Sequence, residues 1–246
     1  HGTFINNGAA ASGIAGGTIN FRGSATADHG NFTTNGGTVS GAGGGFISFS
    51  DTTTAANGVF MNNGGSVSGG NGGSVQFASG ATADHASITN NGAGVSGGSD
   101  GSTFFLDTSN AAKATIVNSG GYTEFLGSSS AGSSTITSNG AGAAGAPLGR
   151  VIFGGTATAG GATLVSNGGA NGGLGADIEF SQGSDGGTAR IEIMGNGRMD
   201  ISQENAPGLT VGSIEGGGTV YLGAYALTVG SNNVSTTYSG TMFGVG

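Results

Sequence analysis

Histidines and carboxylates are the side chains of this chain that could bind a metal ion or transfer protons, and they are few. Three histidines and 13 acidic residues occur among 246, and cysteine is absent. His1 and His29 stand in the same sequence context, and Asp28 precedes His29. These three could supply at most a weak metal site, because a metal centre requires several donors that converge from neighbouring elements. A solvated turn is the simpler interpretation.

Acid–base chemistry on a glycan requires two carboxylates that converge on one face, or calcium held beside a base. Acids of similar sequence context recur here at wide and nearly constant spacing: Asp28 with Asp84, Asp51 with Asp107, and Glu124 with Glu179. Since the repeat described below recurs at half that spacing, each pair skips one repeat. The sequence therefore predicts a protein that is not an enzyme and carries no cofactor, no metal and no catalytic residue.

The composition excludes several further classes of protein. The net charge is −8, and the five basic residues form no cluster that could follow a phosphate backbone, so we expect no nucleic-acid partner. The absence of cysteine excludes a disulfide scaffold. No run of 18 apolar residues exists, which predicts no membrane-spanning helix. Glycine contributes 58 residues without a collagen period, and only 7% of residues are charged, whereas disordered chains are charge-rich.

A short apolar run that ends in phenylalanine recurs through most of the chain, as in TINF, SVQF and RVIF. The intervals between successive markers are 28, 28, 28, 20, 28 and 27, and the markers are Phe21, Phe49, Phe77, Phe105, Phe125, Phe153 and Phe180. An apolar residue or threonine stands two positions before each of them. Alternation at period two is typical of a β-strand.

An asparagine or serine that precedes glycine keeps the same spacing, including its one short interval. These residues are Asn7, Asn35, Asn63, Asn91, Ser119, Asn139 and Asn167. Three positions before each marker stands an apolar residue, namely Phe4, Phe32, Phe60, Ile88, Ile116, Ile136 and Leu164. Two independent markers with one spacing indicate a structural repeat, because a flexible Gly/Ser linker does not need apolar residues in fixed columns.

The short interval separates an essential unit from an optional loop. Only GGYTE lies between Ser119 and Phe125, whereas GGTVSGAGGGFIS lies between Asn35 and Phe49. We therefore predict an all-β fold: a single-stranded right-handed parallel β-helix (β-solenoid) with coils of about 20 residues and glycine-rich loop insertions that give the 28-residue period. Stacking of coils at about 4.8 Å would form ladders of phenylalanine and isoleucine inside, with asparagine amides bonded along the stack.

Two surface patterns leave other functions open. Paired hydroxyl positions flank each buried alanine and could order water, as in an ice-binding protein, or simply form a neutral β-favouring surface. The rows are Ser24 and Thr26, Thr52 and Thr54, Gly80 and Thr82, Thr108 and Asn110, Ser128 and Ser130, and Thr156 and Thr158, and Gly80 and Asn110 interrupt them because they carry no hydroxyl group. Phe104, Tyr122 and Glu124 cluster on adjacent coils, which is the pattern of a glycan-binding or glycan-cleaving β-helix.

Three segments of the chain share one pattern: GSATADHGNFTTNGG, GATADHASITNNGA and GTATAGGATLVSNGGA. They resemble the repeats of autotransporter passenger-type bacterial β-helix proteins, in which STAGNATITNNGG-like units alternate with I-x-F strands. Residues 209–246, LTVGSIEGGGTVYLGAYALTVGSNNVSTTYSGTMFGVG, resemble the autotransporter-associated β-strand repeat. The resemblance covers nearly the whole chain and implies a secreted or surface-displayed bacterial β-helix, mostly without catalytic residues.

These patterns divide the chain into regular solenoid repeats over residues 1–180 and a continuing irregular β-solenoid over residues 181–246. His1 begins in mid-repeat, which suggests a piece of something longer. We expect a non-catalytic structural protein, extracellular or at the bacterial cell surface, that acts as a stalk, an adhesin or a filament subunit. Exposed strand edges at the ends predict head-to-tail self-association, and surface glycans or matrix are the other partners expected.

Overall fold

A computed structural model describes residues 2–245, which contain 21 strands and no helix. The strands are short, mostly four or five residues, because glycine-rich or polar turns follow each one. In chain order they are β1 Thr3–Asn6, β2 Thr18–Phe21, β3 Asn31–Thr34, β4 Phe46–Phe49, β5 Val59–Asn62, β6 Ser74–Phe77, β7 Ser87–Asn91, β8 Ser102–Phe105, β9 Thr115–Ser119, β10 Tyr122–Phe125, β11 Thr135–Asn139, β12 Arg150–Phe153, β13 Thr163–Ser166, β14 Asp177–Ser181, β15 Arg190–Ile193, β16 Arg198–Gln203, β17 Gly208–Val211, β18 Ser213–Gly216, β19 Thr219–Gly223, β20 Ala226–Val229 and β21 Thr241–Gly244.

The strands alternate between two long sheets, so that each coil of the chain contributes one strand to each sheet. The nine-stranded sheet has the order β1-β3-β5-β7-β9-β11-β13-β15-β18. The ten-stranded sheet has the order β2-β4-β6-β8-β10-β12-β14-β16-β19-β21, and β17 pairs with β20 in a small third sheet. Every strand pairing is parallel. The prediction of a parallel β-solenoid is therefore confirmed, while the right-handed sense stays a prediction.

A third side of each coil is held by single backbone bridges rather than by strands. These bridges form one continuous file through Thr26, Thr54, Thr82, Asn110, Ser130, Thr158 and Asp185. One residue further on, the inward alanines are buried at the corner, as Ala55 and Ala83 illustrate with no exposed surface. A small side chain is needed there because the two sheets and this third side converge on a narrow interior.

The glycine-rich loops stack on one another in the same way as the strands. The backbone N–H of Gly41 donates to the carbonyl of Gly69 at 2.7 Å, one period further along the chain. The stacking is so close that a Cβ atom built on Gly44 would lie 2.0 Å from the carbonyl oxygen of Gly72. Glycine is therefore required by the close approach of successive loops.

Stacking continues beyond residue 180 with a changed spacing. Asp177 pairs with Arg198, Arg198 with Thr219, and Thr219 with Thr241, so each of these coils is shorter than the regular repeat. The difference arises because these coils lack the long glycine-rich loops. Within residues 2–245 no helix is long and apolar enough to cross a membrane.

Candidate functional surfaces

The seven marker phenylalanines lie in one file inside the ten-stranded sheet. Their rings stack nearly parallel, with centroid distances of 4.4–4.9 Å between neighbours from Phe21 to Phe180. Six of the seven are fully buried. Because the strand spacing sets the ring spacing, each coil offers its neighbour a flat apolar surface of matching size.

A second file faces the first from the nine-stranded sheet. Phe4, Phe32 and Phe60 stack at 4.9 Å, and Phe60 meets Phe49 of the first file edge-on at 5.7 Å. The file then continues with smaller side chains, which are fully buried: Ile88, Ile116, Ile136 and Leu164. The interior is thus apolar and continuous from coil to coil.

The asparagines before glycine form a ladder at the edge of the nine-stranded sheet. From the second coil on, each asparagine of the ladder donates its side-chain N–H to the side-chain oxygen of the previous coil at 2.8–3.3 Å. The sequence therefore brings together Asn7, Asn35, Asn63, Asn91, Ser119, Asn139 and Asn167. These side chains are half-buried or exposed, so the ladder borders solvent.

A second polar ladder, not predicted from the sequence, runs inside the solenoid one residue earlier. Its members are Asn6, Thr34, Asn62, Asn90, Asn118, Ser138 and Ser166, all buried. Asn62 donates to Asn90 at 2.7 Å and Asn90 donates to Asn118 at 2.8 Å. Thr103 and Thr123 of the ten-stranded sheet add hydroxyl bonds at 2.9 Å. This ladder ties the two sheets together across the interior.

His29 and His85 are each paired with the aspartate that precedes them. His29 Nδ1 lies 2.7 Å from Asp28 Oδ1, and His85 Nδ1 lies 2.7 Å from Asp84 Oδ1, at exposed turns two coils apart. His1, the third member of the weak site considered above, lies outside the described residues. Among residues 2–245 no group of three His, Cys, Asp or Glu side chains is placed to hold a metal ion.

The other paired aspartates bind backbone amides of neighbouring coils. Asp51 accepts the N–H of Gly23 at 2.8 Å, and Asp107 accepts the N–H of Ser79 at 3.0 Å. Both aspartates and Ser79 have positive φ angles, between 58° and 63°, which Asp tolerates better than most residues. Because acids occupy alternate coils, no two carboxylates of this column are adjacent.

The hydroxyl rows are bonded largely to the protein's own backbone. Thr54, Thr82 and Thr158 each accept the N–H of the residue two positions later at 2.9–3.1 Å. In the neighbouring row, Thr52 and Thr108 donate to carbonyl oxygens of the previous coil at 3.0 and 2.9 Å. These bonds hold the turns in shape and use hydrogen-bonding capacity that an ice-binding surface would direct to water.

The outward face of the ten-stranded sheet gathers aromatic and charged side chains in its later coils. Phe104 and Tyr122 meet edge-on with centroids 5.7 Å apart. Glu124 is the register partner of Phe104, and Arg150 Nε donates to Glu179 Oε1 at 3.0 Å. Partial burial raises the pKa of both Tyr122 and Glu124 above their ordinary values, and Arg150 opposes that rise for Glu124.

Further along the same face, two carboxylates lie on adjacent coils. Glu179 is the register partner of Asp200, which in turn pairs with Tyr221. Tyr221 stacks on Phe243 at 5.8 Å, and both rings are substantially exposed. The flanking column carries an ion pair between the buried Asp177 and the half-buried Arg198, and the hydrogen bond from Arg198 to Asp177 raises the pKa of Arg198. The face therefore offers aromatic rings at both ends of a charged strip.

Both ends of the described array leave strand edges unpaired. At one end β1 and β2 are the first strands of their sheets, and Phe4 and Ile5 are 47% and 64% exposed. At the other end β21 closes the ten-stranded sheet, with Met242 and Phe243 at 43% and 52%. Phe4 and Met242 continue interior columns, whereas Ile5 and Phe243 lie on the outward faces of their sheets. No family model, curated protein or solved structure matches this chain.

Proposed function

We propose that this chain is a structural segment of an extracellular rod, exposed at a bacterial cell surface or in its matrix, that extends by end-to-end stacking of coils. The observation that carries this proposal is the continuity of the apolar interior columns, in which buried side chains of each coil pack on those of the next. A coil of this kind cannot bury its own apolar face, and its stability comes from its neighbours. The same contacts can add further coils at either end.

The unpaired edges support the stacking part of the proposal. Backbone N–H and C=O groups along β2 and β21 face away from the array, and an exposed edge pairs readily with another strand. Ile19 occupies the inward column that Met242 occupies at the opposite end, so a second copy would place these two apolar side chains in contact. A contact between two different surfaces of one molecule does not close on itself and produces a filament.

The role at a bacterial surface rests on the sequence resemblance to autotransporter-type passenger repeats and on the composition. A glycine-rich rod with few charges and no cysteine depends on neither a disulfide nor a thiolate-bound metal for its fold. Its stacked coils present long uniform faces, which suits a stalk or an adhesive surface. Detection of the protein on intact cells with an antibody, before and after external protease treatment, would test the location.

Assembly is tested by Met242→Lys, which places a charge on the end surface. The matched control is Met61→Lys, because Met61 is 44% exposed and lies on the outward flank of β5 instead of at an end. We expect sedimentation velocity and negative-stain microscopy to show filaments for the unmodified protein and the control, and short single rods for Met242→Lys. Single rods for all three proteins at high concentration would contradict the stacking proposal.

A second candidate function, glycan binding, is favoured by the strip between Phe104 and Phe243. Aromatic rings provide flat apolar surfaces for sugar rings, and the charges between them offer hydrogen bonds to hydroxyl groups. Titration of the protein with neutral and acidic polysaccharides would test this, with Tyr122→Ala as the binding variant and Met61→Ala, on the outward flank of the nine-stranded sheet, as control. Saturable binding that only Tyr122→Ala weakens would support the second candidate.

A further inference from the structure

The glycine-rich loops stack along one side of the solenoid and form what we call the rib, and one coil lacks its loop. Six coils carry a loop, over residues 8–17, 36–45, 64–73, 92–101, 140–149 and 168–175. The coil between the fourth and fifth of these has only Gly120 and Gly121 in place of a loop. Since successive coils are separated by about 4.8 Å, the coils that carry loops 92–101 and 140–149 are about 10 Å apart, which leaves room for one polypeptide strand outside the contact of Pro147 with Gly92.

Adjacent loops elsewhere in the rib are joined by repeated backbone hydrogen bonds. One column of donors runs from Ala9 to Gly43, from Gly37 to Asn71 and from Gly65 to Ser99, at 2.7–2.8 Å. A second column runs from Gly13 to Gly41, from Gly41 to Gly69 and from Gly69 to Gly97, at 2.7–2.9 Å. Each loop is thus the hydrogen-bonding partner of the one before it.

No loop follows loop 92–101 on the next coil, so its backbone N–H groups in these columns lack the carbonyl acceptors that the earlier loops find. The N–H of Ala93, which continues the first column, donates to Asp100 Oδ1 of its own loop at 2.7 Å. Earlier loops have glycine at the position of Asp100. The N–H of Gly97 and the carbonyl of Gly98, which continue the contacts between loops, have no hydrogen-bond partner among residues 2–245. Asp100 therefore replaces one of the missing contacts and leaves the others open.

The gap forms a slot of about 380 Å³. Its walls include Ala93, Val95 and Asp100 on one side and Gly145 and Pro147 on the other. The ring of Pro147 closes the base of the slot, because a Cβ atom built on Gly92 would lie 2.5 Å from its Cγ. The slot is therefore open to solvent along its outer side and closed toward the solenoid.

We propose that this slot binds one extended glycine-rich segment of another polypeptide, whose backbone pairs with the N–H of Gly97 and the carbonyl of Gly98. The occupant is inferred from what fills every equivalent slot in this rib, namely a glycine-rich loop paired through its main chain. Side chains are restricted, since a Cβ atom on Gly44 or Gly72 would lie 2.0 Å from the next loop's backbone. Strand addition to an open edge gives affinity through main-chain bonds.

A synthetic peptide with the sequence of residues 64–73, GGSVSGGNGG, tests the proposal, because this segment fills the neighbouring slot of the chain itself. We expect saturable binding at one site in a calorimetric or NMR titration, with slower amide hydrogen exchange at Gly97. A peptide of the same sequence with N-methylated glycines has lost the backbone donors of its glycines and should bind about tenfold more weakly or not at all.

Two protein variants decide whether the slot is the binding site. Insertion of SVSGGNGG between Gly121 and Tyr122 gives the short coil a loop of its own, and we expect it to abolish binding while the circular dichroism spectrum stays unchanged. Asp100→Gly frees the N–H of Ala93 for the peptide and should tighten binding about threefold to tenfold. Absence of saturable binding to the unmodified protein, equal binding to the insertion variant, or an unchanged affinity for Asp100→Gly would each overturn the proposal.

Discussion

The buried asparagine ladder makes a sharp prediction at Asn90. Its side chain accepts from Asn62 at 2.7 Å and from the Thr103 hydroxyl at 2.9 Å, and it donates to Asn118 at 2.8 Å and to Thr123 at 3.2 Å. Asn90→Asp keeps the shape and both acceptor functions. It replaces the amide donor by a carboxylate oxygen that faces the Asn118 oxygen. An acidic group with no exposed surface then lies against an acceptor.

The loss of folding free energy follows from the burial of the new charge and from the lost hydrogen bond. An ionised carboxylate at this position is removed from water and has no positively charged partner in the ladder. An uncompensated buried charge of this kind costs about 3–5 kcal/mol. Protonation supplies an O–H that can donate to Asn118 again, so the loss should diminish at low pH. Burial raises the pKa of the introduced acid above its unfolded value of about 3.9, and its destabilising effect therefore grows as the pH rises between those values.

Guanidinium unfolding followed by far-UV circular dichroism at pH 7 and at pH 3 measures the difference from the unmodified protein at each pH. Asn91→Asp is the matched control, because Asn91 donates to Asn63 at 2.8 Å on the half-buried outer ladder, where water can solvate the charge. We expect a loss of about 1 kcal/mol for the control at pH 7. Equal losses of unfolding free energy for the two variants, or no recovery of the stability of Asn90→Asp at pH 3, would refute the interior ladder.

Three further changes test other parts of the structure. Phe105→Ala removes a fully buried ring from the stacked file and should cost about 3–5 kcal/mol in chemical unfolding, whereas Phe104→Ala on the outward face should cost much less. Ser79→Asp places a carboxylate between those of Asp51 and Asp107 and should destabilise the folded protein by about 1 kcal/mol per adjacent pair. Thermal melts in 1 M salt should no longer show this destabilisation, and Ser79→Asn should not show it at any salt concentration. Gly44→Ala should lower the melting temperature because its Cβ would lie 2.0 Å from the next loop's carbonyl oxygen, while Gly94→Ala, which meets no atom within 4 Å, should leave it nearly unchanged.

The fold could be predicted because two markers share one irregular spacing. The phenylalanines and the asparagines before glycine both shorten their interval once, and they do so at the same coil, which a chance pattern would not do. Identical chemistry in each column is what a stack of equivalent coils requires. The sequence therefore contained the register of the strands as well as their type.

The inner ladder and the later coils were harder to read from the sequence. Thr34, Asn90 and Ser138 share a column, yet their residue types differ because any small side chain with a donor and an acceptor can serve there. The adjacency of Glu179 and Asp200 was missed because coils beyond residue 180 lose the loops and become shorter. The alternation of apolar and polar residues, as in MDIS, was the available signal for strands in these shorter coils.

The central claim is that equivalent side chains of successive coils lie directly beside one another, and engineered disulfides test it most directly. Val117 and Thr137 are register partners on neighbouring strands, although only 20 residues separate them instead of the usual 28. The chain has no native cysteine that could form a competing disulfide. Their Cα spacing of about 4.8 Å lies within the range that a disulfide bridges. We predict rapid disulfide formation for Val117→Cys with Thr137→Cys, and none for Val117→Cys with Gly145→Cys, which is one regular repeat length away. The reverse result would contradict the stacked solenoid.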